Sequence, residues 1–223
     1  MSKNIFVALD FNSLEKSLDV AKSIKNEIAG IKIGSELYAI CGTEGLKKFQ
    51  ELGLKIFLDL KLHDIPNQVK KTVAAINSLK IVKYLTIHTS GNLEMLKAAQ
   101  ETSGQIELLG VTVLTSQSNL EGVGIKNSIK DQIKLLGNLA IQAKLSGVIA
   151  SAQDVPLIRQ LSKELKIFCP GIRDKESKQD QKRVMSYADF SKIADDKCFA
   201  VIGRPIIEGD PIQNIKKIIQ SAK

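Results

Sequence analysis

The sequence predicts a single (β/α)8 barrel over residues 1–223, and three observations carry that expectation. Eight short apolar, β-branched runs recur along the chain, amphipathic segments fill most of the gaps between them, and no composition break, repeat or low-complexity tract divides it. A chain of 223 residues with 43% hydrophobic content can bury one sizeable core. Eight strands in that length favour a closed barrel over an open, doubly wound sheet.

The runs are IFVAL (5–9), IKIG (31–34), KIFLDL (55–60), YLTIH (84–88), IELLGVTVL (106–114), GVIA (147–150), KIFC (166–169) and FAVIG (199–203). Helical spacing is clearest in residues 14–28, 66–79, 129–145 and 211–221. Two segments lack periodicity. TSQSNLEGVGIKN (115–127) follows the fifth run; PGIRDKESKQDQKR (170–183) is polar, opens on Pro-Gly and follows the seventh. The second reads either as a mobile lid over a charged ligand or as a surface insertion.

The net charge is +8, but the lysines are scattered over helical segments such as 16–25, 70–71 and 216–217. A solvated helix face explains them, whereas nucleic-acid binding calls for clustered basic residues with exposed aromatics. The positive balance still helps to attract an anionic small molecule. Cys41, Cys169 and Cys198 are odd in number and form no CxxC or Cys/His spacing, so reduced structural thiols are expected. Residues 1–10 do not resemble a signal peptide, and no apolar run approaches the roughly 18 residues of a membrane span. A cytoplasmic protein is expected, with neither membrane nor nucleic acid as partner.

In a barrel, catalytic groups gather at the C-terminal ends of the strands. The most informative stretch there is Leu58-Asp59-Leu60-Lys61-Leu62-His63-Asp64-Ile65-Pro66-Asn67. Asp59 and Lys61 are two residues apart, so both project towards the mouth. Asp64, just past the strand and before Ile65-Pro66, is placed to cap the next helix. A D-x-K-x-x-D pattern arises by chance in about one chain in twenty, so its position at a strand end carries most of the weight.

Lys32 lies between two isoleucines in a short strand, where an unpaired ammonium is costly. It needs a carboxylate. Asp10, at the end of the first strand, and Asp59 can supply one, giving an alternating Asp/Lys array; Asp10 can equally cap the helix that starts near Ser13. After the eighth strand, Gly203-Arg204-Pro205 offers a guanidinium where barrels often bind phosphate, although a surface turn would also explain it. His63 and His88 raise a metal reading with Asp59 and Asp64. No HxH or HxxxH spacing supports it, and lysines in the pocket compete for the carboxylates, so no metal is expected.

The segments VALDF, GIKIGSEL, FLDLKLHDIPN, VTVLTS, CPGIRD, DQKRVM and VIGRPI, from residue 7 to about residue 206, resemble in this order the blocks of bacterial-type orotidine 5′-phosphate decarboxylases. The resemblance implies decarboxylation of orotidine 5′-monophosphate to uridine 5′-monophosphate without metal or cofactor. It implies that Asp10, Lys32, Asp59 and Lys61 form the charged array, with Lys61 stabilising and then protonating a carbanion. Asp64 would reach the neighbouring active site of a homodimer. Thr115 would contact the pyrimidine, and Gln181 and Arg204, next to Gly203, would hold the phosphate. Pro170 and Gly171 would open the phosphate-gripping loop, which includes Arg173.

One departure is visible: Gln68 stands where bacterial members commonly have threonine in DIPNT, which affects a secondary contact from the partner subunit. Two other readings remain. Metal-dependent sugar-phosphate decarboxylases and aldolases resemble the D-x-K-x-x-D block but place a metal-binding glutamate where this chain has Lys32. A non-catalytic phosphate-ligand module could use the same barrel mouth, but has no need for three carboxylates in its pocket.

Overall fold

The structure is a computed structural model that describes residues 4–173 and 182–222. Strands β1 (Ile5–Ala8), β2 (Gly30–Gly34), β3 (Lys55–Leu62), β4 (Val82–His88), β5 (Glu107–Val111), β6 (Gly147–Ile149), β7 (Lys166–Cys169) and β8 (Cys198–Ile202) pair in parallel in chain order. β8 returns to β1, with Phe6 opposite Val201, and closes the barrel. Helices α1 (Leu14–Ile24), α2 (Ser35–Glu51), α3 (Pro66–Ser78), α4 (Asn92–Gln100), α5 (Ile129–Gln142), α6 (Val155–Leu161), α7 (Tyr187–Ile193), α8 (Arg204–Ile207) and α9 (Pro211–Gln220) surround it. Among the described residues no helix is long and apolar enough to cross a membrane.

Side chains alternate across each strand, and here both faces are apolar for most of its length. One set, including Val7, Ile31, Ile33, Ile56, Leu58, Leu85 and Ile167, packs outward beneath the helices. The other set, Phe6, Phe57, Tyr84, Leu109, Phe168 and Val201, fills the barrel interior. Its rings lie edge-on or tilted to one another, at 5.5 Å for Phe6 and Tyr84 and 5.3 Å for Phe57 and Phe168, a geometry that suits aromatic quadrupoles. At the N-terminal end, Glu107 accepts both Lys166 and Lys83, the latter at 2.8 Å, and the Lys166 ammonium stands 5.8 Å from the centre of the Tyr84 ring.

Two sequence expectations are corrected and one open alternative is decided. The fifth strand ends at Val111, not 114, because the Val113 and Leu114 carbonyls turn to accept the Arg183 guanidinium. Ser13 caps α1 by accepting the Lys16 amide, which leaves Asp10 to Lys32. Asp64 does not cap α3. Ile65 occupies the cap position, Pro66 opens the helix, and among the described residues the Asp64 carboxylate accepts only the adjacent Ile65 amide, at 2.7 Å. Standing one residue before the cap position, it is too early to serve the first-turn amides.

Candidate active site

Continuing the inward-facing set past the aromatic layer, the side chains change from rings to charges. Phe57 is followed by Asp59 and Lys61 on β3, Ala8 by Asp10 beyond β1, and Lys32 faces inward from β2. The Lys32 ammonium lies 3.2 Å from Asp10 Oδ1 and 3.6 Å from Asp59 Oδ2, while Lys61 Nζ lies 2.9 Å from the same Asp59 oxygen. Asp59 and Lys32 are nearly buried; Asp10, at 53% exposure, opens to solvent.

Burial by itself would raise the Asp59 carboxyl. The charges of Lys32 and Lys61, with hydrogen bonds from Lys61 and Thr86, outweigh it and hold Asp59 below the usual carboxylate range. The array is therefore a set of fixed charges assembled before any ligand arrives.

The predicted same-face projection of Asp59 and Lys61 is reached by an irregular route. β3 slips register against β4 between Leu58 and Leu62, and Lys61 has φ of +48°, a left-handed conformation that costs a side-chain-bearing residue about 1–2 kcal/mol. Its amide leaves the strand ladder and donates to Thr86 Oγ1 at 2.8 Å.

These charges form one wall of a pocket of about 990 Å³, open mouth included, whose floor is Ala8, Phe57 and Val201. Thr115 enters from beyond β5, Pro170, Gly171 and Arg173 from beyond β7, and Gly203 and Arg204 from beyond β8. Two glycines serve the shape. Gly171 has φ of +80°, and a Cβ at Gly203 would stand 3.2 Å from Asp10 Oδ2. Arg204 is exposed at the rim, and among the described residues its guanidinium makes no hydrogen bond or ion pair, while its carbonyl accepts the Glu208 amide.

The expected site residues thus converge, apart from two. Gln181 lies outside the described residues, as does 174–180 of the expected loop. Asp64 is exposed outside the array of its own chain. The His63 and His88 rings are 5.4 Å apart; burial, with His63 and Lys61 nearby, pushes His88 below its ordinary range. Among the described residues no group of three or more His, Cys, Asp or Glu side chains is disposed to hold a metal.

Sequence reasoning missed the residues behind the site. Thr86 is fully buried and bonds both Asp59 and the Lys61 amide; a polar side chain at an inward position of YLTIH was the available signal. Arg183 pairs with Asp154 at 2.5 Å and donates to the Val113 carbonyl at 2.8 Å, while the amides of Lys182 and Arg183 both donate to the Thr115 carbonyl. Arg173 and Met185 are tied by an isolated bridge at Ile172. The segments after β5 and β7 are thereby joined at their bases, which local sequence does not signal.

The sequence matches the profile of the orotidine 5′-phosphate decarboxylase / HUMPS family over residues 3–218. It is 40% identical to an orotidine 5′-phosphate decarboxylase of Ehrlichia canis, over 97% of this chain and 96% of that one, and 38% identical to one of Opitutus terrae over the whole of both. The crystal structure of orotidine 5′-phosphate decarboxylase from Lactobacillus acidophilus superimposes with a TM-score of 0.81, at 27% identity over 99% of each chain. A barrel closed in chain order, an Asp/Lys wall at its C-terminal mouth and these likenesses agree: the chain belongs to the orotidine 5′-phosphate decarboxylase / HUMPS family.

Proposed function

We propose that the chain removes CO2 from orotidine 5′-monophosphate to give uridine 5′-monophosphate, a step of pyrimidine nucleotide biosynthesis, using the Asp/Lys wall as a preformed electrostatic site. The observation that carries this reading is the Asp59 carboxylate held between two ammoniums, Lys61 at 2.9 Å and Lys32 at 3.6 Å. The names of the Ehrlichia and Opitutus relatives support the substrate.

Breaking the C6–carboxylate bond leaves its electron pair on an sp2 carbon with no adjacent carbonyl to receive it. A cation fixed beside C6 lowers the energy of that charge more than the energy of the bound substrate. Lys61 fills this role and then gives one Nζ proton to C6, later recovering it from solvent. Asp59 holds Lys61 and faces the departing carboxylate. Lys32 and Asp10 meet the ribose hydroxyls, and Thr115 meets the pyrimidine. At the rim, Arg204 with Gly203, Pro170, Gly171, Arg173 and Gln181 takes the phosphate, whose remote binding energy favours closure over the reacting carbon.

No metal or cofactor enters this scheme. A divalent cation at Asp59 would have to displace two ammoniums already bound there, and Lys32 occupies the position at which the sugar-phosphate relatives place a glutamate. Asp64 belongs to the partner's pocket in a homodimer. Its exposure, beside an Ile65 that is 64% exposed, supports that placement. The cytoplasm is the compartment that fits a soluble biosynthetic enzyme with three free thiols.

The test is the absorbance change of orotidine 5′-monophosphate with purified protein in excess EDTA, beside Lys61→Ala and Arg204→Ala. Conversion by the wild type alone, with kcat/KM lowered strongly in both variants, supports the reading. No conversion by the wild type returns sugar-phosphate chemistry to first place, and near-normal kcat/KM in Arg204→Ala removes the phosphate assignment. For the shared site, equal amounts of inactive Lys61→Ala and Asp64→Ala are dissociated, mixed and reassociated. Recovery of about a quarter of wild-type activity is expected, since half the dimers are mixed and each has one intact site.

A further inference from the structure

The geometry points to Thr86 as a positioning residue for the reaction: its one hydroxyl orients the Asp59 carboxylate and holds the unusual backbone of Lys61, so that the ammonium stands where the carbon is protonated. The inference rests on the function proposed above, but the arrangement behind it is independent of the substrate.

Thr86 lies on β4, facing inward above Tyr84, with no exposed surface. A buried hydroxyl has one proton to give and lone pairs to accept with. Both capacities are committed. Oγ1 accepts the Lys61 amide at 2.8 Å and donates to Asp59 Oδ1 at 2.9 Å. Because an amide can only donate, this bond fixes the direction of the other, and the hydroxyl proton must go to the carboxylate. Asp59 Oδ1 is thereby assigned to Thr86, which leaves Oδ2 to face both Lys61 and Lys32.

The second bond addresses the backbone. At φ of +48°, Lys61 turns its amide out of the ladder between β3 and β4, where the register slips. Without the Thr86 hydroxyl that part-buried donor would lose its partner, and the left-handed turn would have nothing to compensate it. A β-branched residue suits the task, since its χ1 is stiff and the hydroxyl does not wander between partners. One side chain from a neighbouring strand therefore sets the carboxylate plane and the origin of the lysine side chain together. A displacement of the reacting ammonium by even 1 Å is of the size that lowers turnover about a hundredfold.

The experiment compares wild type, Thr86→Val, which keeps the shape and removes the hydroxyl, and Thr86→Ser, which keeps the hydroxyl and removes the methyl. With orotidine 5′-monophosphate, Thr86→Val is expected to lose about 10- to 100-fold in kcat with KM within about threefold, because the contacts to phosphate and ribose are untouched. Thr86→Ser should recover most of that loss. Alongside, the carboxyl 13C signal of Asp59 is titrated, assigned by its loss in Asp59→Asn. Its midpoint should rise in Thr86→Val, since a hydrogen bond to the charged form is gone, and return towards wild type in Thr86→Ser.

Wild-type kcat and an unmoved Asp59 midpoint in Thr86→Val would overturn the proposal, as would equal damage in the valine and serine variants, which assigns Thr86 to packing. If the valine variant fails to fold, Thr86→Ala serves as the hydroxyl-free form in both measurements. If the wild type does not turn over this substrate, the proposed function fails, while the titration still decides whether Thr86 governs Asp59.

Discussion

At both ends of the barrel two lysines converge on a carboxylate, and the upper group lines the pocket described above. At the N-terminal end, Lys83 of β4 and Lys166 of β7 meet Glu107 of β5 beneath the Tyr84 ring. Burial would raise Glu107, but the hydrogen bonds and charges of Lys166 and Lys83 prevail and hold it low, much as Lys32 and Lys61 do for Asp59. The electrostatics alone therefore do not distinguish the two ends.

What differs is the surroundings. The lower trio contains no left-handed residue, although Lys83 stands at a register slip between β3 and β4, and it lies against a filled interior. The upper group contains a left-handed lysine, a buried hydroxyl that fixes its carboxylate, and open space on one side. A charge pair over packed rings relaxes onto its partners and stays there. A charge pair held by strain at the edge of a cavity retains a field for something else to feel.

The largest expected effect separates the ends by function. Lys61→Ala should lower kcat/KM by about 10⁴-fold or more, combining the typical losses of a general acid and of a preorganised charge, with little change in Tm. Glu107→Gln should do the reverse: kcat stays near wild type, and thermal unfolding shows a loss of about 1–2 kcal/mol as two lysines lose their counter-charge. A Glu107 variant that loses turnover at unchanged stability would break the comparison.

Acid sharpens it. The folded-state values of Asp59 and Glu107 are both depressed, so their stabilisation is fully present above the unfolded carboxylate range of about 3.9–4.3 and is lost as pH falls through the lower folded values. Melting curves from pH 7 to pH 2 should show Tm falling below about pH 4. Glu107→Gln should flatten part of that fall, and an unaltered slope would mean that the lower trio adds nothing. The smallest effect concerns backbone alone. Lys61→Gly should be more stable than Lys61→Ala by about 1 kcal/mol, since glycine accepts the left-handed turn that alanine resists, and equal stabilities would show that the turn is unstrained.

The eight apolar runs made the barrel legible because parallel strands covered on both faces leave an unbroken local trace. The Asp/Lys wall was legible for a related reason: Lys32 between two isoleucines is anomalous unless carboxylates wait on the strands beside it. The remainder depends on contacts between distant residues. The twist at Lys61 is held by a hydroxyl 25 residues away, and the early end of β5 by a guanidinium 70 residues away. Neither leaves a mark in its own segment. The cap of α1 shows the same limit at short range, since Ser13 and Asp10 both suit the role and only the pull of Lys32 decides between them.

The interlocked rings of Phe6, Phe57, Tyr84 and Phe168 have one more effect. They make the barrel a well with a solid bottom, so traffic is one-way in space but two-way in time. On the proposed reaction, nucleotide enters, gas escapes and nucleotide leaves through the same mouth. The small product can slip past the large one, but the next substrate must wait for the rim to clear, and uridine 5′-monophosphate competes for the very door it has to use.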